Sequence, residues 1–166
     1  MRYRVAAGTL TVQARSRVHN TTAVWNKLTG DVTADPDTLA TAGATARFEV
    51  DMTAFDAGDF LKNRKLRSDF ELARHPTARF ELARVRNVVR TGATFTATAD
   101  GVLAWRGRQV ELVLEGRGTL DAMTVSASAT FELDIRALGL SAPRFLMFKV
   151  EDEVSVAVEI RGAVVP

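Results

Sequence analysis

The chain carries two histidines, His19 and His75, and no cysteine. Together these facts remove most of the chemistry that a protein of 166 residues performs through side chains alone. Without thiols there are no disulfides, no thiolate nucleophiles, no Cys-bound zinc or iron-sulfur cluster and no Cys-attached lipid. The histidines stand far apart, with no HExxH or other close spacing, so a His-rich metal site cannot assemble. His19 falls on the polar phase of a strand and reads as solvated. His75 precedes Pro76, where a turn or cap role is expected. No GxSxG nucleophile elbow, P-loop or GxGxxG occurs, and Gly116-Arg117-Gly118 reads as a turn fragment. Acids come in pairs at Asp51 and Asp56 and at Glu151 and Glu153, but carboxylates on strand faces and in turns are usually solvated. No catalytic residue, metal ligand or cofactor is predicted.

Charge offers one asymmetry. Twenty-two Lys and Arg stand against 20 Asp and Glu, a net +2, too balanced for a protein that coats nucleic acid. Yet nine basic residues and three acids lie between Lys62 and Arg90. That region reads either as a solvated basic surface or as a place for peripheral contact with anionic membrane lipid or a ligand phosphate. No nucleic-acid partner is expected.

The elements that must position these residues follow from a two-residue hydrophobic period, the mark of strands with one face toward a core. Leu10, Val12, Ala14, Ser16 and Val18 share one phase. Ala44, Ala46, Phe48, Val50, Met52 and Ala54 form the cleanest example. Phe95 through Trp105, Val110 through Leu114, Val125 through Ile135 and Val154 through Ile160 repeat it. Shorter runs at residues 25–32 and 78–88 bring the count to eight strands, with Arg84 breaking phase at a bulge or strand end. Arg106-Gly107 and Arg117-Gly118 read as turns. Short connections favour antiparallel neighbours, so the fold class is all-β: an eight-stranded up-and-down barrel forming one domain over residues 1–166, with a sandwich as the alternative. Residues 56–74 leave the pattern and predict one or two short helices across a barrel mouth, ending at His75-Pro76. A second irregular stretch, residues 137–148, is rich in Leu and Phe.

The inward phase is rich in small residues: Ala14, Ala44, Ala46, Ala97, Ala99, Gly101, Ala127 and Ala129. An eight-stranded barrel either fills itself with side chains or holds one small ligand, and small linings favour a hollow. The same residues also fit a filled barrel in which Phe48, Phe80, Phe95, Phe131 and the two tryptophans interdigitate with alanines.

The segment Lys62 to Phe70 (KNRKLRSDF), continuing through His75-Pro76 to Glu81, resembles the signature of the YceI-like family, bacterial lipocalin-like proteins that bind polyisoprenoids. Leu28 to Val32 (LTGDV), Ala46 to Thr53, Gly101 to Leu103, Trp105 to Gly107, Phe131 to Leu140 and Val150 to Val154 extend the resemblance in order along the chain. It differs from the family at Asn63 and Lys65, where members often carry an acidic residue and a histidine, and at Ala6 to Leu10. The resemblance implies a helix-capped lipocalin-like barrel with an apolar tunnel for a long isoprenoid chain.

The function expected is therefore non-enzymatic binding, carriage or sequestration of a polyisoprenoid, isoprenoid quinone or similar lipid. The lining is expected from Val12, Trp25, Phe48, Val50, Phe80, Phe95, Leu103, Trp105, Phe131 and Leu133, with Phe60, Leu66, Phe70, Phe145, Met147 and Phe148 near the entrance. The alternatives are an enzyme acting on a small apolar substrate in the same cavity and a stress-response interaction module with a filled barrel. Met1 to Gly8 holds no apolar run of signal-peptide length, so a cytoplasmic location is expected. A homodimer stays open as an assembly.

Overall fold

A computed structural model gives the fold. It describes residues 1–16, 20–141, 144–145, 148–149 and 151–166, the pieces at 144–145 and 148–149 by backbone alone. His19, Val18 and Met147 lie outside the described residues.

The elements run in the order β1 (Arg2–Ala14), β2 (Thr21–Ala34), α1 (Leu39–Ala42), β3 (Ala44–Asp51), β4 (Phe55–Asp56) and α2 (Phe60–Asp69). There follow β5 (Thr77–Thr91), β6 (Thr94–Trp105), β7 (Arg108–Leu120) and β8 (Thr124–Asp134). A 3-10 turn (Ile135–Leu138), β9 (Arg144–Phe145), β10 (Phe148–Lys149) and β11 (Glu153–Val165) complete the chain. The long strands β1, β2, β3, β5, β6, β7, β8 and β11 each pair antiparallel with the next in sequence, and β1 pairs with both β2 and β11. The meander therefore closes on itself as an eight-stranded barrel, which leaves no long edge free to recruit another chain. Among the described residues no helix is long and apolar enough to cross a membrane.

Alternation explains why these segments are strands. Along β6, Phe95, Ala97, Ala99, Leu103 and Trp105 all turn inward onto one interior space. The wall opposite in phase carries the charges. The predicted bulge falls where Arg84 breaks the period: the register of β5 against β6 slips between Leu82 and Arg84, and slips again between Arg86 and Val89, with Asn87 in the left-handed region at φ 54°.

Several boundaries differ from the sequence reading. β1 begins at Arg2, well before the clean alternation, because its register shifts between Val5 and Gly8 and so inverts the phase of its first half. That half holds Tyr3 and Val5, both fully buried. β1 ends at Ala14, before Ser16, and β3 ends at Asp51, leaving Ala54 in a turn. Arg106-Gly107 is a turn, with φ 57° and 71°, both central residues left-handed as a tight hairpin of this kind requires. Arg117-Gly118 is not. It lies within β7, and the chain turns later, at Asp121, whose carboxylate accepts from the amides of Met123 and Thr124, each at 2.8 Å. Glycine there serves the strand: a Cβ on Gly118 would collide with the carbonyl oxygen of Ser126 on β8.

The barrel has two distinct ends. At one, α1 packs on β5 and buries Leu39. At the other lie α2, the 3-10 turn and both tryptophans. Of the insertion expected over residues 56–74, residues 60–69 form a single helix, Asp56 ends the short strand β4, and residues 70–74 form turns.

Candidate functional site

A cavity of about 310 Å³ occupies the barrel interior, lined by the inner faces of all eight long strands. Leu39, Leu120 and Val125 bound it at the α1 end, and Trp25, Phe70, Trp105, Leu138 and Leu140 bound it at the α2 end. It thus runs the length of the barrel. Among the described residues no Asp, Glu or His lines it, and no group of three such side chains gathers elsewhere to hold a metal ion.

The space comes from side-chain size. Ala97, Gly116 and Ala129 stand in register on β6, β7 and β8, and Gly118 pairs with Ala127 in the neighbouring row. These small residues make a wall without bulk. Aromatic rings crowd other strands instead: Phe48 on β3 stacks with its register partner Phe80 on β5, ring centroids 6.5 Å apart. Phe80 also covers Gly101, where an added Cβ would strike its ring. Leu10, Val12, Phe48, Phe131 and Leu133 sit on the inward phase yet are only half-buried. The surface they keep faces the hollow, whereas in a filled core the same residues would be close-packed.

Of the residues expected to line the barrel, Val12, Trp25, Phe48, Val50, Phe80, Phe95, Leu103, Trp105, Phe131 and Leu133 all border the cavity, as does Phe70. Leu66 does not touch it; it is buried in the hydrophobic core beneath α2. Phe60 is the exception in kind, standing 75% exposed on the first turn of α2. Phe145 and Phe148 fall on the paired β9 and β10, whose side chains are not described, and Met147 lies outside the described residues. The sequence reading missed Leu39, Leu138 and Leu140 as lining residues. For Leu39 a signal existed, since Asp35-Pro36-Asp37-Thr38 is the kind of run that opens a helix; a helix of four residues is too short to show a period.

The α2 end is tethered at several points. Trp25 Nε1 donates to the Met52 carbonyl at 3.1 Å, and Trp105 Nε1 donates to the His75 carbonyl at 2.9 Å. The two indoles therefore hold the insertion where it leaves the barrel and where it returns. His75 acts through its backbone, its N–H also donating to the Glu71 carbonyl. Asp59 caps α2 by accepting from the Lys62 amide at 2.8 Å. Asp56 accepts from the Gly58 amide and from Asn63 Nδ2, which hold its carboxyl below the usual range. Asn63 Oδ1 in turn accepts from the Ala57 amide. At the far end of the helix, Arg106 donates to the Phe70 carbonyl and pairs with Glu71, with its guanidinium lying over the Trp105 ring. Glu71, bonded first by Arg74 and also by Arg106, titrates below its ordinary value.

The basic region between Lys62 and Arg90 does not form one patch. Arg79 pairs with Glu49 at 3.0 Å; Arg84 and Arg86 share Asp100 at 3.2 and 2.9 Å; Lys65 pairs with Asp69 and Arg74 with Glu71. Arg90 lies at the α1 end, donating to the carbonyls of Pro36, Gly92 and Leu120. What remains is local to α2: Lys62 and Arg64 without an ion pair among the described residues, and Arg67 over the Phe55 ring at 5.5 Å.

A family model described as YceI-like domain matches residues 3–162. No curated protein matches the sequence. Among solved structures, a polyisoprenoid binding domain from Saccharophagus degradans, implicated in plant cell wall breakdown, superposes with a TM-score of 0.78 at 16% identity over 98% of each chain. BcnA of Burkholderia cenocepacia gives 0.74 at 18% identity, over 93% of this chain and 95% of that one. The YCEI protein of Campylobacter jejuni gives 0.68 at 11% identity, over 90% and 88%. Likeness at these identities carries the fold.

Proposed function

We propose that this chain, which belongs to the YceI-like domain family, shelters one long apolar molecule of the polyisoprenoid, isoprenoid quinone or similar lipid class along its barrel axis. It carries or sequesters that molecule without transforming it. The observation behind this reading is the apolar cavity that all eight strands line, with the small residues Ala97, Gly116 and Ala129 in register on one wall. An apolar void of this volume left empty costs on the order of 7 kcal/mol, and each methylene taken out of water contributes about 0.8 kcal/mol. A hydrocarbon chain therefore gains affinity without any directed polar contact. About 310 Å³ lies at the small end of ligand pockets, which favours a slender guest over a bulky ring system. The polyisoprenoid-binding neighbour supports the same class of cargo.

A lining free of carboxylates and imidazoles among the described residues offers no desolvated acid or base, which favours holding over turnover. The test is native mass spectrometry of the purified chain together with organic extraction. A co-purifying lipid, or uptake of an added isoprenoid alcohol at one per chain, is the expected result. Repeated recovery of empty protein that takes up no such lipid would overturn the carrier reading.

A further inference from the structure

We propose that the first turn of α2 docks the barrel on an anionic lipid bilayer, setting the tryptophan-lined end of the cavity against the membrane. Phe60 and Leu61 are adjacent there and stand 75% and 74% exposed. Two large apolar side chains side by side on a helix whose one buried residue is Leu66 are not accounted for by packing. Their position is fixed, because the Asp59 cap and the Asp56–Asn63 hydrogen bonds hold the turn that presents them. On the same segment stand the cations Lys62, Arg64 and Arg67, the carboxylates Asp56 and Asp59, which are taken up by hydrogen bonds within the turn, and Lys65, which pairs with Asp69 at 3.0 Å.

An apolar wedge with cations free of ion pairs on the same helix is the arrangement that inserts at a lipid headgroup boundary. Charge complementarity selects the occupant. A second copy docked on the same face would set Lys62, Arg64 and Arg67 against themselves and against carboxylates, Asp56 and Asp59, already bonded within their own turn, whereas anionic headgroups meet all three cations with opposite sign. The location fits as well, since α2 leads directly into Phe70, which borders the cavity. The inference deepens the carrier reading by naming where cargo would cross between bilayer and barrel, and it is measured without reference to cargo.

The experiment is co-sedimentation of the full chain with vesicles of phosphatidylglycerol and phosphatidylcholine in equal parts, compared with phosphatidylcholine alone. Binding to the anionic vesicles is expected, weakening as salt rises. The double variant Phe60→Ser, Leu61→Ser should bind about tenfold less or weaker, as should Lys62→Glu, Arg64→Glu. All four positions lie at the helix surface, so circular dichroism should show both variants folded. A third variant, Ala129→Phe, obstructs the cavity and should sediment as the parent does, which separates docking from cargo uptake. Equal binding to neutral and anionic vesicles, no binding to either, or unchanged binding by the double variants would overturn the proposal. So would a concentration-dependent dimer in light scattering that the Phe60→Ser, Leu61→Ser variant abolishes.

Discussion

The indole N–H of Trp105 donates to the backbone carbonyl of His75 at 2.9 Å, across 30 positions of sequence. One face of the side chain borders the cavity while its polar edge secures the segment that returns from α2. Trp105→Phe keeps a ring in the lining but removes the donor. It should cost about 0.5–1.5 kcal/mol, the usual net worth of a hydrogen bond that is only partly buried, and should raise amide exchange around residues 70–76 more than in the barrel strands. Chemical denaturation and hydrogen-exchange mass spectrometry measure the two effects. A loss spread evenly over the molecule would mean that the hydrogen bond does not tether the insertion.

Ala129 lies in a row of small lining residues with Gly116 and Ala97. In a close-packed core an added ring would cost about 1–3 kcal/mol. Here the hollow can accept it, so Ala129→Phe should leave the melting temperature unchanged or higher while reducing uptake of an isoprenoid alcohol by about tenfold or more. Thermal unfolding and a fluorescent lipid-displacement titration would be read together. Full uptake by the variant would place the cargo elsewhere.

Acid should loosen α2 before it unfolds the barrel. Asp56, held by the Gly58 amide and Asn63, and Glu71, held by Arg74 and Arg106, both titrate below their ordinary values in the folded chain. The folded form thus takes up these protons less readily than the unfolded one. The stabilisation they give is complete above the ordinary carboxylate range, about pH 4, and is lost as pH falls through the depressed folded-state values. Protection factors for residues 57–74 should drop as pH falls below about 4 while those of β6 and β7 persist. Simultaneous loss in all three segments would contradict the assignment.

Much of the barrel was legible because its inner positions repeat every second residue without interruption, as from Phe95 to Trp105. What escaped notice traces to places where the backbone departs from that period. The shift between Val5 and Gly8 hid the first half of β1, and the glycines of β7 imitated a turn because they thin a strand that must pass close to β8. The strand residues named for the lining border the cavity, because the period sets their direction. Phe60 does not, since a helix-end residue faces wherever its cap aims it. The basic region looked continuous for a different reason: Glu49 and Asp100, which neutralise Arg79, Arg84 and Arg86, belong to neighbouring strands that linear sequence does not reveal as neighbours.

Because β1 is sandwiched between β2 and β11, with Arg2 opposite Val165, the seam that seals this barrel joins its first strand to its last. A nascent chain emerging from the ribosome can lay down seven strands as an open, curling sheet, but its greasy concave face stays uncovered until β11 arrives. Closure therefore waits on pairing between the two strands of this fold that lie farthest apart in sequence, and such long-range pairing is slow. The interval before it is when this protein is most exposed to chaperones, and when a hydrophobic guest could be enclosed without passing through either end.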